Sequence, residues 1–212
     1  MASLAFRRAH LVGIARDLAS QQLAAAAYAA GRGSRAVPMY LRPDRPPGCD
    51  GGAAFVAHCL HAAGLTLAPW NVSRGPGAGA TVPAWVAWAT ASDGACYYPV
   101  GADGFVPDVG DLLVVANRRE SGPPDQIGVI IDQTAHAFIT AEGNVKYRTG
   151  IVVRRKGHQI QGFILLLEGA EAPAAVLAAR VHHQQAQAAA ERGSGWRRSA
   201  GAGGTTSGIT RR

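Results

Sequence analysis

The first part of the chain carries apolar side chains at helical spacing. Apolar residues recur every three or four positions over residues 2–30, which predicts one or two amphipathic helices there. Residues 53–63 form a second helical stretch, with Asp50 as its N-cap and Gly64 just past its end. Both stretches end at glycine, as helices commonly do.

A third helix is expected over residues 81–92. Thr81 is its N-cap, and Pro83 falls in the first turn, where the missing N–H of proline does no harm. Residues 34–52 and 65–80 are rich in proline and glycine, so we expect them to be loops.

The period changes from helical to extended after Asp93. Short β-branched and aliphatic runs follow, separated by clusters of Pro, Gly, Asp and Asn that are typical of tight turns. The predicted strands are residues 111–116, 126–132, 137–142, 151–155 and 160–167. Helices followed by an antiparallel meander sheet indicate an α+β fold, with the N-terminal helices packed on the sheet.

The pattern divides the chain into three parts. Residues 1–33 form an N-terminal helical segment, and residues 34–168 form the main domain. In the remaining part, residues 169–212, an Ala/Gln-rich helix is expected over 170–190, followed by a low-complexity tail.

Charge is concentrated in that last part of the chain. Residues 169–212 hold six arginines and two glutamates, which is +4 of the net charge of +7. The basic tail residues that could contact an acidic partner are Arg192, Arg197, Arg198, Arg211 and Arg212. A cationic tail binds an acidic protein surface, an anionic cell wall or nucleic acid, or it simply stays solvated. Because Trp196 is its only aromatic residue, recognition of single-stranded nucleic acid is not favoured.

Composition excludes several other classes of protein. A hydrophobic content of 48% supports a packed core, and no apolar run reaches the roughly 20 residues that span a membrane. Arginines interrupt residues 1–20, so no secretory signal is predicted. The three cysteines form no C-x-x-C pair, and the neighbours His182 and His183 do not face the same side of a helix. We therefore expect no metal site and no cofactor.

Six short motifs, in order, resemble those of CHAP domains, the papain-like cysteine amidases and endopeptidases of bacterial peptidoglycan. The resemblance covers about two thirds of the chain and implies a papain-like α+β fold. The motifs are residues 52–60 (GAAFVAHCL) with 63–65 (AGL), 82–89 (VPAWVAWA), 109–115 (VGDLLVV), 126–130 (QIGVI), 140–145 (TAEGNV) and 160–163 (IQGF).

Both catalytic positions of that family are altered in this chain. The resemblance places Gly52 where the family has its nucleophilic cysteine, and Gln126 where it has its histidine. Glycine has no nucleophile, and glutamine is no general base at physiological pH. Glu142 stands where the family has the residue that orients the histidine, and Asn144 is retained beside it. We therefore expect Gly52 at a helix N-terminus, facing Gln126 at the start of a strand.

A displaced cysteine is the alternative nucleophile. Cys49 lies three residues before Gly52, but a cysteine upstream of the helix loses the dipole that lowers a thiol pKa. His136, the nearest base in sequence, is expected to be exposed in a turn between two strands. His58 and His61 lie on the helix itself and point away from its N-terminus.

The remaining cysteines and aromatic residues have structural interpretations. Cys59 is expected to be a small core residue, and Cys96 is expected to be structural. Trp85 and Trp88, three apart on one helix, fit core packing. Trp70, Tyr97 and Tyr98 are expected in loops and are the candidates for stacking on a substrate in the family's groove.

The resemblance implies a catalytically silent CHAP-like domain that serves as a structural or cell-wall-contacting component. Because relatives without a signal peptide are often phage lysins or tail-associated wall hydrolases, we expect a phage or phage-like particle component, made in the bacterial cytoplasm. Its partners would then be other particle proteins or peptidoglycan. The alternatives are an active amidase or endopeptidase that uses Cys49, and a cytoplasmic peptide-binding protein.

Overall fold

The computed structural model describes residues 4–21, 50–65, 81–117, 122–146, 148–157, 159–167 and 178. The chain divides into two compact units, Met1–Glu171 and Ala172–Arg212. The description below concerns the first unit. The expectations for Cys49, Trp70, the Ala/Gln-rich helix and the basic tail lie outside the described residues, apart from Ala178.

Three helices precede the sheet, as the apolar periodicity predicts. They are α1 (Leu4–Ser20), α2 (Gly51–Ala62) and α3 (Val82–Ala91). On α1, Leu11, Ala15 and Ala19 repeat every four residues and are buried, which forms the stripe that packs on the core.

The predicted cap residues stand at the helix ends, but one of them acts across two helices. Asp50 is the N-cap residue of α2, yet its carboxylate accepts a hydrogen bond from the Val82 N–H of α3, at 3.0 Å. The Thr81 hydroxyl caps α3 by accepting from the Ala84 N–H. Gly64 follows α2 with a φ of +75°, the left-handed conformation that glycine adopts readily. A carboxylate beside two helix N-termini is favoured by both dipoles, so Asp50 joins the starts of α2 and α3.

The helices pack on an antiparallel sheet of six strands. Their order across the sheet is β1-β6-β2-β3-β4-β5. The strands are β1 (Ala95–Pro99), β2 (Leu112–Val115), β3 (Gln126–Gln133), β4 (Ala137–Val145), β5 (Arg148–Arg155) and β6 (Ile160–Leu166). The α+β fold class is therefore confirmed. The meander holds only from β2 to β5, because β6 returns to lie between β1 and β2.

One strand corrects the prediction for the paired tyrosines. Tyr97 and Tyr98 lie on β1, not in a loop, and pair with Ile164 and Phe163 of β6. The strand is short and ends at Pro99, so its sequence offers little alternation. β1 is extended because it pairs with β6, which lies more than sixty residues further along the chain.

Apolar side chains fill both sides of the sheet. The larger cluster joins all three helices to the sheet through residues such as Phe55, Trp85 and Ile127. The smaller cluster joins Phe138 and Phe163 to other residues of the sheet. The expected core role of Trp85 and Trp88 is confirmed by an edge-to-face contact with ring centroids 5.6 Å apart, Trp85 being fully buried.

Side chains tie α1 to the sheet along its length. Arg8 forms an ion pair with buried Asp111 at 2.7 Å, and Arg16 donates to the Ile131 carbonyl at 2.8 Å. Within the described residues, no helix is long and apolar enough to cross a membrane.

Candidate functional site

The N-terminus of α2 meets the beginning of β3. Gly52 is the second residue of α2, and Gln126 is the first residue of β3. A Cβ atom placed on Gly52 would lie 2.6 Å from Oε1 of Gln126 and 3.2 Å from the Ile127 carbonyl oxygen. The expected juxtaposition of Gly52 and Gln126 is confirmed, and the glutamine side chain fills the space that a residue 52 side chain would need.

A second glycine lets the same end of α2 approach β4. A Cβ atom on Gly143 would collide with the Gly51 carbonyl oxygen and with Cβ of Phe55. Because neither Gly52 nor Gly143 carries a side chain, the helix lies almost directly on the strand backbone. This close packing buries the first residues of α2.

The hydrogen bonds of Gln126 define how its amide is oriented. Its Nε2 donates to Oε2 of Glu142 at 2.8 Å and to the Gly143 carbonyl oxygen at 2.9 Å. Both partners are acceptors only, so the NH₂ group must face them and Oε1 must face Gly52. The carbonyl end of the amide is therefore directed at the helix N-terminus, where the dipole favours negative partial charge.

Glu142 is the centre of a buried polar cluster. Its side chain is 1% exposed and lies opposite Gly128 in the register of β3 and β4. Oε1 accepts from the Thr140 hydroxyl at 2.6 Å, and Oε2 accepts from Gln126. Arg154 of β5 donates to both oxygens, at 2.9 Å from Nε and 2.6 Å from Nη2. Four donors thus surround this carboxylate.

Among the described residues, Arg154 balances the charge of Glu142. Burial by itself lowers the pKa of Arg154, but the hydrogen bonds and charge of Glu142, with a smaller effect of Asp125, raise it overall. The second guanidinium edge donates from Nη1 to Oδ1 of Asn117 at 2.7 Å. A two-pronged arginine–carboxylate pair of this kind holds both side chains in one geometry.

Positions 52 and 126 hold neither the nucleophile nor the base of a thiol hydrolase. Gly52 carries no nucleophile, and the neutral amide of Gln126 cannot accept a proton in its place. Glu142 is held by Arg154 and Thr140, so it is not a free base. Among the described residues, no three His, Cys, Asp or Glu side chains come together in a way that could hold a metal ion.

The other candidate residues are distributed away from this cluster. Asn144 is exposed and has a φ of +61°, next to the register shift in β4. Tyr97 lies on β1, which β6 and β2 separate from β3, and donates to the Gln161 carbonyl at 3.1 Å. Tyr98 stacks on Phe105 with ring centroids 4.3 Å apart. The groove role expected for the two tyrosines stays a prediction.

The described cysteines and histidines take the places expected of structural residues. Cys59 is fully buried, and burial raises the pKa of its thiol far above the ordinary value. Cys96 is half-buried on β1, and burial raises its thiol pKa as well. His136 is exposed in the turn between β3 and β4, as predicted. Burial, and then the charge of His61, lower the pKa of His58.

Sequence reasoning missed three members of the cluster. Thr140 could have been found, because residues two apart on a strand share a face and Thr140 precedes Glu142 by two. Arg154 and Asn117 carry no such signal, since their approach to Glu142 depends on the register of β4 with β5 and on the end of β2.

Comparison of the chain with protein-family models, with curated proteins and with solved structures gives no match. The resemblance to CHAP domains therefore stays a prediction from the short sequence motifs.

Proposed function

We propose that this chain is a CHAP-like domain without hydrolytic activity, which serves as a structural or wall-contacting component of a phage or phage-like particle. The single observation that carries the loss of activity is the contact of Gln126 with Gly52. With Oε1 of Gln126 2.6 Å from the position of a Cβ on Gly52, one side chain fills the space where the resemblance expects a cysteine beside a histidine.

The nucleophile is the first part that this arrangement lacks. A cysteine at a helix N-terminus is reactive because the dipole and the unpaired N–H groups stabilise its thiolate. Here the polar group directed at the start of α2 is an uncharged amide oxygen. It carries partial negative charge, yet it has no lone pair basic enough to attack a peptide bond.

The base is the second part that is lacking. In a thiolate–imidazolium pair the orienting residue accepts a hydrogen bond from the ring. In this chain Glu142 accepts that bond from Nε2 of Gln126, at 2.8 Å, while its charge is balanced by Arg154. The cluster therefore keeps the hydrogen-bond pattern of an oriented base but not its proton chemistry, and it contributes to the rigidity of the α2–β3–β4 junction.

The role as a particle component is inferred from the resemblance and from the charge of the chain. A rigid domain with a strongly basic C-terminal part suits attachment to an acidic neighbour or to an anionic wall polymer. In this proposal the arginines of residues 192–212 bind that neighbour and the α+β domain supplies shape.

Density-gradient purification of particles from lysed producing cells tests this role. Immunodetection should find the chain at the density of the particle, and replacement of Arg197 and Arg198 by glutamine should move part of it to the unassembled fractions. A chain that sediments with purified peptidoglycan sacculi but not with particles would favour the wall-contacting role. A chain that stays in the soluble fractions in both experiments would overturn the proposal.

A further inference from the structure

The outer edge of β5 has the features of a binding surface. β5 is the last strand of the sheet and pairs with β4 on one side. Within the part of the chain that the structure describes, no strand pairs with its other side. An edge of this kind presents free backbone donors and acceptors that can template another strand.

The register shows which backbone groups face outward. The Lys156 N–H donates to the His136 carbonyl at 2.9 Å, so these two residues form a hydrogen-bonded pair. Hydrogen-bonded and non-hydrogen-bonded pairs alternate along an antiparallel ladder. It follows that β5 forms non-hydrogen-bonded pairs with β4 at Ile151, Val153 and Arg155. The backbone N–H and C=O groups of these three residues therefore point away from the sheet.

The side chains of the same residues are exposed. Ile151 is 46% and Val153 66% exposed, although both are large and apolar. Residues two apart on a strand share a face, so Ile151, Val153 and Arg155 form one row beside the outward backbone groups. A strand paired with this edge would place every second side chain against this row, so apolar residues at those positions would pack on Ile151 and Val153.

The charge around this row is of one sign. Residues 144–157 contain five cations and no acidic residue. Arg154 is paired with Glu142, whereas Lys146, Arg148, Arg155 and Lys156 are exposed. In the antiparallel register that sets Ile151 opposite Val153, pairing of two copies of β5 would place Arg148 opposite Lys156, and like charges directly opposite are destabilising. Self-association through this edge is thus disfavoured, and an acidic partner is favoured.

We propose that the β5 edge binds an extended acidic segment of a partner protein by strand addition. The outward groups of Ile151, Val153 and Arg155 form the backbone hydrogen bonds. Apolar side chains of the partner pack on Ile151 and Val153, and its carboxylates, which project to the other face of the strand, pair with Arg148 and Lys156. Backbone bonds supply affinity in such complexes, and alternate side chains supply specificity.

The probe is a fluorescent octapeptide in which glutamate and valine alternate, measured by anisotropy against the full chain. The control octapeptide alternates glutamate and proline, which keeps the charge, removes half of the backbone N–H donors and disfavours a regular strand ladder. We expect the glutamate–valine peptide to bind at least about tenfold more tightly than the control, since several backbone bonds are at stake.

Val153→Pro removes one outward N–H and leaves the ladder with β4 intact, as proline is tolerated at such edge positions. It should weaken binding about tenfold, whereas Val153→Thr, which keeps the N–H and the branched shape, should change it less than about threefold. A peptide N-methylated at every residue can donate from neither edge and should lose binding to the unaltered protein, which tests the same bonds without any risk to folding.

Equal binding of the proline, N-methylated and parent peptides would overturn the proposal, because charge alone would then explain the interaction. If single-stranded DNA displaced the fluorescent peptide as well as unlabelled glutamate–valine peptide does, the surface would be one that binds nucleic acid, and the proposal would be overturned. The proposal would also be overturned if replacing Arg197 and Arg198 by glutamine abolished peptide binding while Val153→Pro left it unchanged. The interaction would then belong to the basic tail.

Discussion

Oε1 of Gln126 lies 2.6 Å from the point where a Cβ on Gly52 would stand, closer than unstrained atoms approach. The two residues are therefore matched: a glycine at 52 is required by a glutamine at 126. The amide is in turn held by Glu142 and the Gly143 carbonyl, so it has no free direction in which to move.

Gly52→Ala should destabilise the fold by about 1–3 kcal/mol, because the added methyl group overpacks a site that cannot relax. Gly13→Ala is the matched control, since Gly13 is also helical and a Cβ there meets nothing within 4 Å. That control should stabilise by about 0.5–1 kcal/mol, the usual gain of alanine over glycine in a helix. Urea unfolding measures both changes, and equal effects at the two positions would contradict the close contact.

The contact also predicts a coupling between the two positions. In a Gln126→Ala background the amide is gone and the Ile127 carbonyl, at 3.2 Å, is the remaining close neighbour. Gly52→Ala should then cost less than it does in the unaltered chain, with an interaction energy of about 1 kcal/mol or more in a double-mutant cycle. Strict additivity of the two substitutions would show that the side chains do not compete for space.

The buried ion pair gives the third prediction. Arg154→Met removes the cation that pairs with buried Glu142, so it should destabilise by about 3–5 kcal/mol. Arg155→Met is the control at the next residue of β5, where the side chain is exposed, and should stay within about 0.5 kcal/mol. Similar losses for both variants, measured by urea unfolding, would mean that the Glu142 pair contributes nothing specific.

His58 gives a pH dependence with a definite sign. Its pKa is lowered from 6.5 by burial and by His61, so the unfolded chain binds more protons than the folded one below about pH 6.5. The contribution of His58 to stability is complete above that pH and is lost as pH falls toward the lowered pKa. Tm should therefore fall less between pH 7 and 5 in His58→Gln than in the unaltered chain. An unchanged slope in His58→Gln would remove His58 from this account.

The helices and most strands could be predicted because their signals are local. Asp50, Thr81 and Gly64 mark helix ends by their own chemistry, and β3 and β4 show long aliphatic runs bounded by turn residues. β1 could not be found in this way. Its extended form depends on pairing with β6, which no short window of sequence contains.

The residues of the candidate site also differ in whether local sequence predicts their positions. The position of Gly52 at a helix start and of Gln126 at a strand start follows from neighbouring residues. The pairing of Arg154 with Glu142 does not, because it depends on which residues of β5 lie beside β4. A shift of the register by one residue would turn Arg154 to the other face of the sheet.

Hydrolysis of peptidoglycan tests the central claim most directly. Purified sacculi carrying a covalent dye are incubated with the full chain, and released dye and newly exposed amino groups are measured. Because neither position 52 nor position 126 holds a catalytic group, we expect no release above the blank, and the same result for Cys49→Ala and for Cys96→Ala. The contradicting result is dye release by the unaltered chain that is abolished by Cys49→Ala and unchanged by Cys96→Ala. That result would identify a working cysteine hydrolase.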